Sequence, residues 1–124
     1  MIVALAVALG GGLGAVLRYV TDLAVSSKLG RTVPWGTMFI NVAGSAGAGL
    51  VLGLTTYQQV SPKVATVVLI GFLGGFTTAS TLAYEAARLT QSRRVGAAAA
   101  VITGTMVASL AAGIAGLAIG GGLT

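Results

Sequence analysis

Four apolar stretches, roughly residues 2 to 25, 33 to 57, 64 to 87 and 95 to 119, set the outer limit on what this chain can fold into. Each is long enough to cross a hydrocarbon core of about 30 Å as a helix, at a rise of about 1.5 Å per residue. Only 7% of the 124 residues are charged and 56% are hydrophobic, so one small soluble core could not hide the apolar surface. The expected fold is an all-α membrane protein, a single domain over residues 1–124 with four transmembrane helices, multi-pass in the cell membrane. Little chain is left outside the bilayer. The function must therefore lie between helices, and an enzyme is not expected.

Cysteine and histidine are both absent. That removes disulfides, thiolate and imidazole metal sites and Cys or His nucleophiles. The amino-terminal apolar run lacks a basic segment before it and continues past any plausible cleavage site, so it reads as the first span rather than a signal peptide. Seven Lys/Arg against two acids give a net charge of +5. In a membrane protein this excess reports topology rather than nucleic-acid binding. Lys28 and Arg31 lie in the first loop and Arg88, Arg93 and Arg94 at the third, against Lys63 on the opposite side. Loops one and three are therefore expected in the cytoplasm, in one dominant orientation.

Pro34 and Trp35 open the second span, with Pro suited to a helix's first turn and Trp to the headgroup level. Ser61 and Pro62 open the third, and QSRR, residues 91 to 94, separates it from an Ala- and Gly-rich fourth. Gly10 and Gly14, Gly49 and Gly53, Gly71 and Gly75, and Gly116 and Gly120 each stand four apart, the spacing that lets helices approach closely. The Gly-rich start has no Gly-Lys-Ser/Thr ending and no preceding strand, so it is not a phosphate loop.

The segment GFLGGFTTASTL, residues 71 to 82, is the most unusual chemistry in the chain. A Gly pair followed by Thr77, Thr78, Ser80 and Thr81 lowers helix propensity and supplies hydroxyls and freed carbonyls. At bilayer depth such backbone persists only where protein or a polar cavity covers it. The third span is therefore expected to break near Gly74–Thr78 and to border an ion pathway. Four hydroxyls within five positions cannot share one helix face, so some must meet another helix or a wet path. Asn41 is the one carboxamide in the middle of a span. Its amide can donate to an anion or join two helices. Arg18 and Asp22, one turn apart, are expected to pair, as are Glu85 and Arg88. Neither acid lies near midplane, where a proton-coupled transporter or small multidrug exporter would need one.

GGLGAVLRY at 11 to 19, GTMFINVAGS at 36 to 45 and GFLGGFTTASTLAYE at 71 to 85 together resemble the small fluoride channels of the CrcB or Fluc family. The match is collinear and touches all four spans. The resemblance implies passive fluoride export through two pores at the interface of an antiparallel dimer, with a structural sodium ion (Na+) at its centre. It also implies roles for single residues. Asn41 matches the pore asparagine whose amide donates to fluoride, and Ser80 and Ser109 match the polar-track hydroxyls. Gly74 and Thr77 match the positions whose main-chain carbonyls hold sodium.

One departure stands out. Ala79 and Leu82 occupy positions where the family pattern places phenylalanines, whose electropositive ring edges face the ion. Phe72 and Phe76 fall at other motif positions. A chain committed to one orientation and lacking these rings is expected to pair with a homologous subunit inserted oppositely. The alternative reading is a structural or regulatory membrane subunit that keeps the fold and conducts nothing alone.

Overall fold

The computed structural model describes residues 1–57 and 59–122, and among these no strand occurs. The chain runs through α1 (Ile2–Leu29), α2 (Trp35–Thr56), α3 (Pro62–Thr66), a π-helical segment (Val67–Leu73), α4 (Gly74–Phe76), α5 (Ala79–Gln91) and α6 (Val95–Gly122). From α3 to α5 these pieces form one span of 30 residues, Pro62–Gln91, so four helical rods are long and apolar enough to cross a membrane. This is a multi-pass membrane protein by architecture.

Local chemistry sets the ends. Ser61 caps α3, its hydroxyl accepting from the Val64 amide at 3.4 Å, and Pro62 fills the first turn where no amide partner is needed. Pro34, expected in the first turn of α2, instead sits just before it, with Trp35 as the first helical residue. Gly30 closes α1 at φ 78, in the left-handed region that glycine enters without steric cost.

The paired glycines decide which rods touch. A Cβ on Gly49 would overlap the Gly113 carbonyl oxygen, and one on Gly116 would overlap that of Ala46. Gly53 and Gly120 continue the same seam against Leu117 and Leu50 backbone, so α2 and α6 pack backbone to backbone. Gly14 and Gly75 likewise press α1 onto the third span, against the Phe72 and Gly11 carbonyls. Without a hydrophobic drive between helices in lipid, such close van der Waals packing is what holds rods together. A small side-chain core, Ala86, Leu89, Ala98 and Val101 with Val33 and Leu82 against it, ties the first loop to α5 and α6. The outward faces of α1 and α6 are apolar: Leu5, Leu9 and Leu13 on one, Met106, Leu110 and Ile114 on the other, all exposed.

The third span breaks at Thr77 and Thr78, both extended (ψ 159 and 124), two residues beyond the glycine pair. Gly74 itself stays helical at φ −62 and ψ −37. Gly71 and Gly75 serve contact with α1, while the opening is built by polar groups.

A polar cavity at the break in the third span

Thr78 begins α5 as its cap. Its hydroxyl accepts from the Thr81 amide at 3.2 Å, donates to the Thr81 hydroxyl at 3.0 Å and lies 3.3 Å from that of Ser80. Its backbone, turned out of the helical ladder, is taken up by α2. Asn41 Nδ2 donates to the Thr78 carbonyl and Asn41 Oδ1 accepts from the Thr78 amide, both at 2.8 Å. The amide orientation is fixed by this pair, since a backbone N–H can only donate and a carbonyl can only accept. One hydrogen on Nδ2 remains. The two expectations for Asn41, helix joining and anion donation, are thus compatible in one side chain.

With its amide committed to Asn41, Thr78 no longer donates to the Gly74 carbonyl, its partner in an unbroken α-helix. Thr77 remains bonded on the other side, its amide and hydroxyl both donating to Leu73 O at 2.9 Å. The Thr77 carbonyl accepts from Arg18 Nη1 at 3.3 Å. This corrects the expected Arg18–Asp22 pair. Asp22 Oδ2 lies 3.6 Å from Arg31 Nη1 instead, and Arg18 turns to the acceptor that the break exposes. Glu85 and Arg88 do pair, at 2.7 Å.

A pocket of about 410 Å³ opens beside the break. It gathers Asn41, Gly74, Thr77 and Ser109 from three spans, and Ala79 and Leu82 line it too. Ser80 stands apart, exposed on the first turn of α5 with its hydroxyl toward Thr78. On α6, Thr105 satisfies its hydroxyl on Val101 O at 2.6 Å. Ser109, one turn on, does not: its Oγ is buried and has no hydrogen-bond partner among the described residues. A helical serine can back-bond to the carbonyl four residues earlier, so Ser109, a residue that lines the cavity, carries a buried hydroxyl that the described residues leave unsatisfied. Gly44 lets α2 lie close against the break, because a Cβ there would overlap Thr77 Cγ2.

Residues 5–117 match the family model described as CrcB-like protein, Camphor Resistance (CrcB). The chain belongs to the CrcB family. Among curated CrcB relatives, the Fluoride-specific ion channel FluC of Rhodospirillum centenum is 42% identical over 116 residues, covering 93% of this chain and 92% of that one. FluC 1 of Leifsonia xyli subsp. xyli is 45% identical over 118 residues, 95% of this chain and 85% of the relative. FluC of Thermus thermophilus is 40% identical over 119 residues, at 96% and 95%. The similarity extends across all four spans.

The arginine at the break and the bidentate Asn41–Thr78 clasp were not read from the sequence of this CrcB member. Arg18 stood near a second charge one turn away, and helical spacing alone favoured that neighbour. The clasp joins residues 37 apart in the chain, beyond any local pattern.

Proposed function

We propose that this chain is a subunit of a passive, fluoride-selective channel that lowers cytoplasmic fluoride. The observation that carries the reading is that one pocket is lined by both Ser109, whose buried hydroxyl has no partner among the described residues, and Asn41, which keeps one amide hydrogen unused by Thr78. Fluoride is small, acceptor-only and tightly hydrated, so stripping its water requires closely spaced N–H and O–H donors. Asn41 and Ser109 supply them, and Ser80, outside the pocket, reaches the track only through its contact with the pocket-lining Thr78 hydroxyl. The curated relatives named as fluoride channels support the same ion.

The pocket shares Ser45, Leu69 and Ser109 with an adjoining apolar groove of about 490 Å³ that runs along α2 and α6 past Leu110 and Ile114. An anion path bounded on that side by lipid would be poorly shielded, which favours a second subunit over the groove. A structural Na+ would rest on the carbonyls at the break: Gly74 O, which has lost its helical amide, and the second lone pair of Thr77 O, whose first accepts from Arg18, both neutral oxygens of the kind hard cations take. The described residues hold no cluster of three His, Cys, Asp or Glu, so a cation here would rest on neutral oxygens. Two carbonyls do not complete its shell, and an antiparallel partner would contribute the others.

The partner is a homologous subunit of opposite orientation. Lys28, Arg31, Arg88, Arg93 and Arg94 all lie at one end, where Arg88 Nη2 donates to Arg31 O at 2.9 Å, and this end faces the cytoplasm. Ala79 and Leu82 offer no ring edge to an ion, so the partner supplies the aromatic groups. Fluoride efflux from liposomes tests the reading: the chain alone should give little flux, and co-reconstitution with a homologue of opposite loop charge should restore it. Absence of flux under both conditions would favour a non-conducting structural or regulatory subunit.

A further inference from the structure

We infer that the basic pocket between the first loop and the α5–α6 turn binds the phosphate headgroup of an anionic phospholipid. The pocket, about 220 Å³, is lined by Arg31, Thr32, Arg88, Leu89, Ser92 and Arg94. Two of its arginines are held in place by backbone: Arg88 Nη2 donates to Arg31 O at 2.9 Å and Arg94 Nη1 to Thr32 O at 3.2 Å. The loop that supplies those carbonyls is anchored by Val33 on the Ala86, Leu89, Ala98 and Val101 core. The guanidiniums are thus presented on a fixed frame.

Charge exceeds its internal compensation. Glu85 meets Arg88 and Asp22 meets Arg31, while Arg94 has a carbonyl partner and no acid among the described residues. Each guanidinium carries five donors in a planar fork, so most of this set remains open to phosphate oxygens, with the Ser92 hydroxyl among them. The turn itself adds a second indication. Arg93 adopts φ 59, a left-handed position that glycine would fill without steric cost. Arg93 adds a further cation next to the pocket.

The surroundings point to a lipid rather than a free oxyanion. Leu29, Trp35 and Val95, which flank the two connecting segments in the chain, are 60%, 45% and 60% exposed. These apolar side chains lie at the end of the membrane-crossing rods, where acyl chains begin, and basic pockets at such depth suit anionic headgroups.

The test uses the purified full chain in detergent with equimolar phosphatidylglycerol and phosphatidylcholine, read by native mass spectrometry. The wild type should retain about tenfold more phosphatidylglycerol. R31Q with R94Q, which leaves the Arg31 carbonyl for Arg88 and an amide donor at 94 for the Thr32 carbonyl, should bring the two lipids to near parity, and K63Q at the opposite end should change nothing. S92D removes no hydrogen bond of the frame and places a carboxylate in the pocket, so it should also abolish the preference in protein that elutes as a single helical species. Equal retention of both lipids by the wild type, or an undiminished preference in S92D, would overturn the inference. Displacement of phosphatidylglycerol by millimolar inorganic phosphate would overturn the lipid assignment in favour of a soluble anion.

Discussion

Asn41 clasps the Thr78 backbone and is proposed to donate to the ion as well, and its variants test both roles. Asn41→Ala leaves the Thr78 amide and carbonyl without partners, at a cost of about 1–3 kcal/mol for each buried group left unmade. Fluoride flux in liposomes should fall strongly and melting temperature should fall with it. Asn41→Asp keeps an acceptor for the Thr78 amide but sets a carboxylate against the Thr78 carbonyl and the anion path, so flux should be lost at least as completely. Unchanged flux in either assembled variant would restrict Asn41 to packing. Thr78→Ala removes the cap of α5, worth about 1 kcal/mol, whereas Thr78→Ser retains the hydroxyl and should keep most of the stability. Ser109→Ala stands in contrast to both. Its hydroxyl has no partner to lose, so the variant should reduce flux with little change in melting temperature.

At the level of elements, the glycine seams carry the assembly. Gly116→Leu would drive a side chain into the Ala46 carbonyl, a backbone group that cannot rotate away. Overpacking costs about 1–3 kcal/mol where neighbours can shift, and here they cannot readily do so. The variant should lose the monodisperse peak in size-exclusion chromatography. Gly12→Ala is the control: nothing lies within 4 Å of its Cβ, so the protein should behave as wild type. The third span shows a different use of small residues. Its Gly71 and Gly75 bring it against α1, and its break is shifted to Thr77 and Thr78, where Asn41 and a threonine cap satisfy the opened backbone.

For the whole molecule, the proposed single orientation rests on the charge imbalance between its ends. Cysteines introduced at Ser27 and Ser92 should both react with an impermeant reagent from the cytoplasmic side alone. Equal labelling from both sides would remove the single-orientation argument and return a homodimer to favour. If a partner supplies the aromatic groups that Ala79 and Leu82 lack, replacing the partner's pore phenylalanines should abolish flux in the mixed assembly. Robust, selective flux from this chain alone would instead require a pore without those rings.

The number of spans, their approximate ends, the charge asymmetry and the close-approach faces were all legible in the chain. Each depends on short-range properties: a run of apolar residues, a proline beside a serine, glycines four apart on one helix face. Glu85 and Arg88 paired as helical spacing required. Arg18 did not, because its partner, the Thr77 carbonyl, lies 59 residues away and exists as a free acceptor only after the third span has opened. The position of that opening was likewise undecided by the Gly–Gly–Phe–Thr–Thr run, which weakens a helix over several residues equally well. Asn41, brought alongside by the packing of α2 against the third span, selected Thr78. Local sequence determined the rods and their contact faces. The relative register of those rods, a tertiary property, determined which polar groups meet at the cavity.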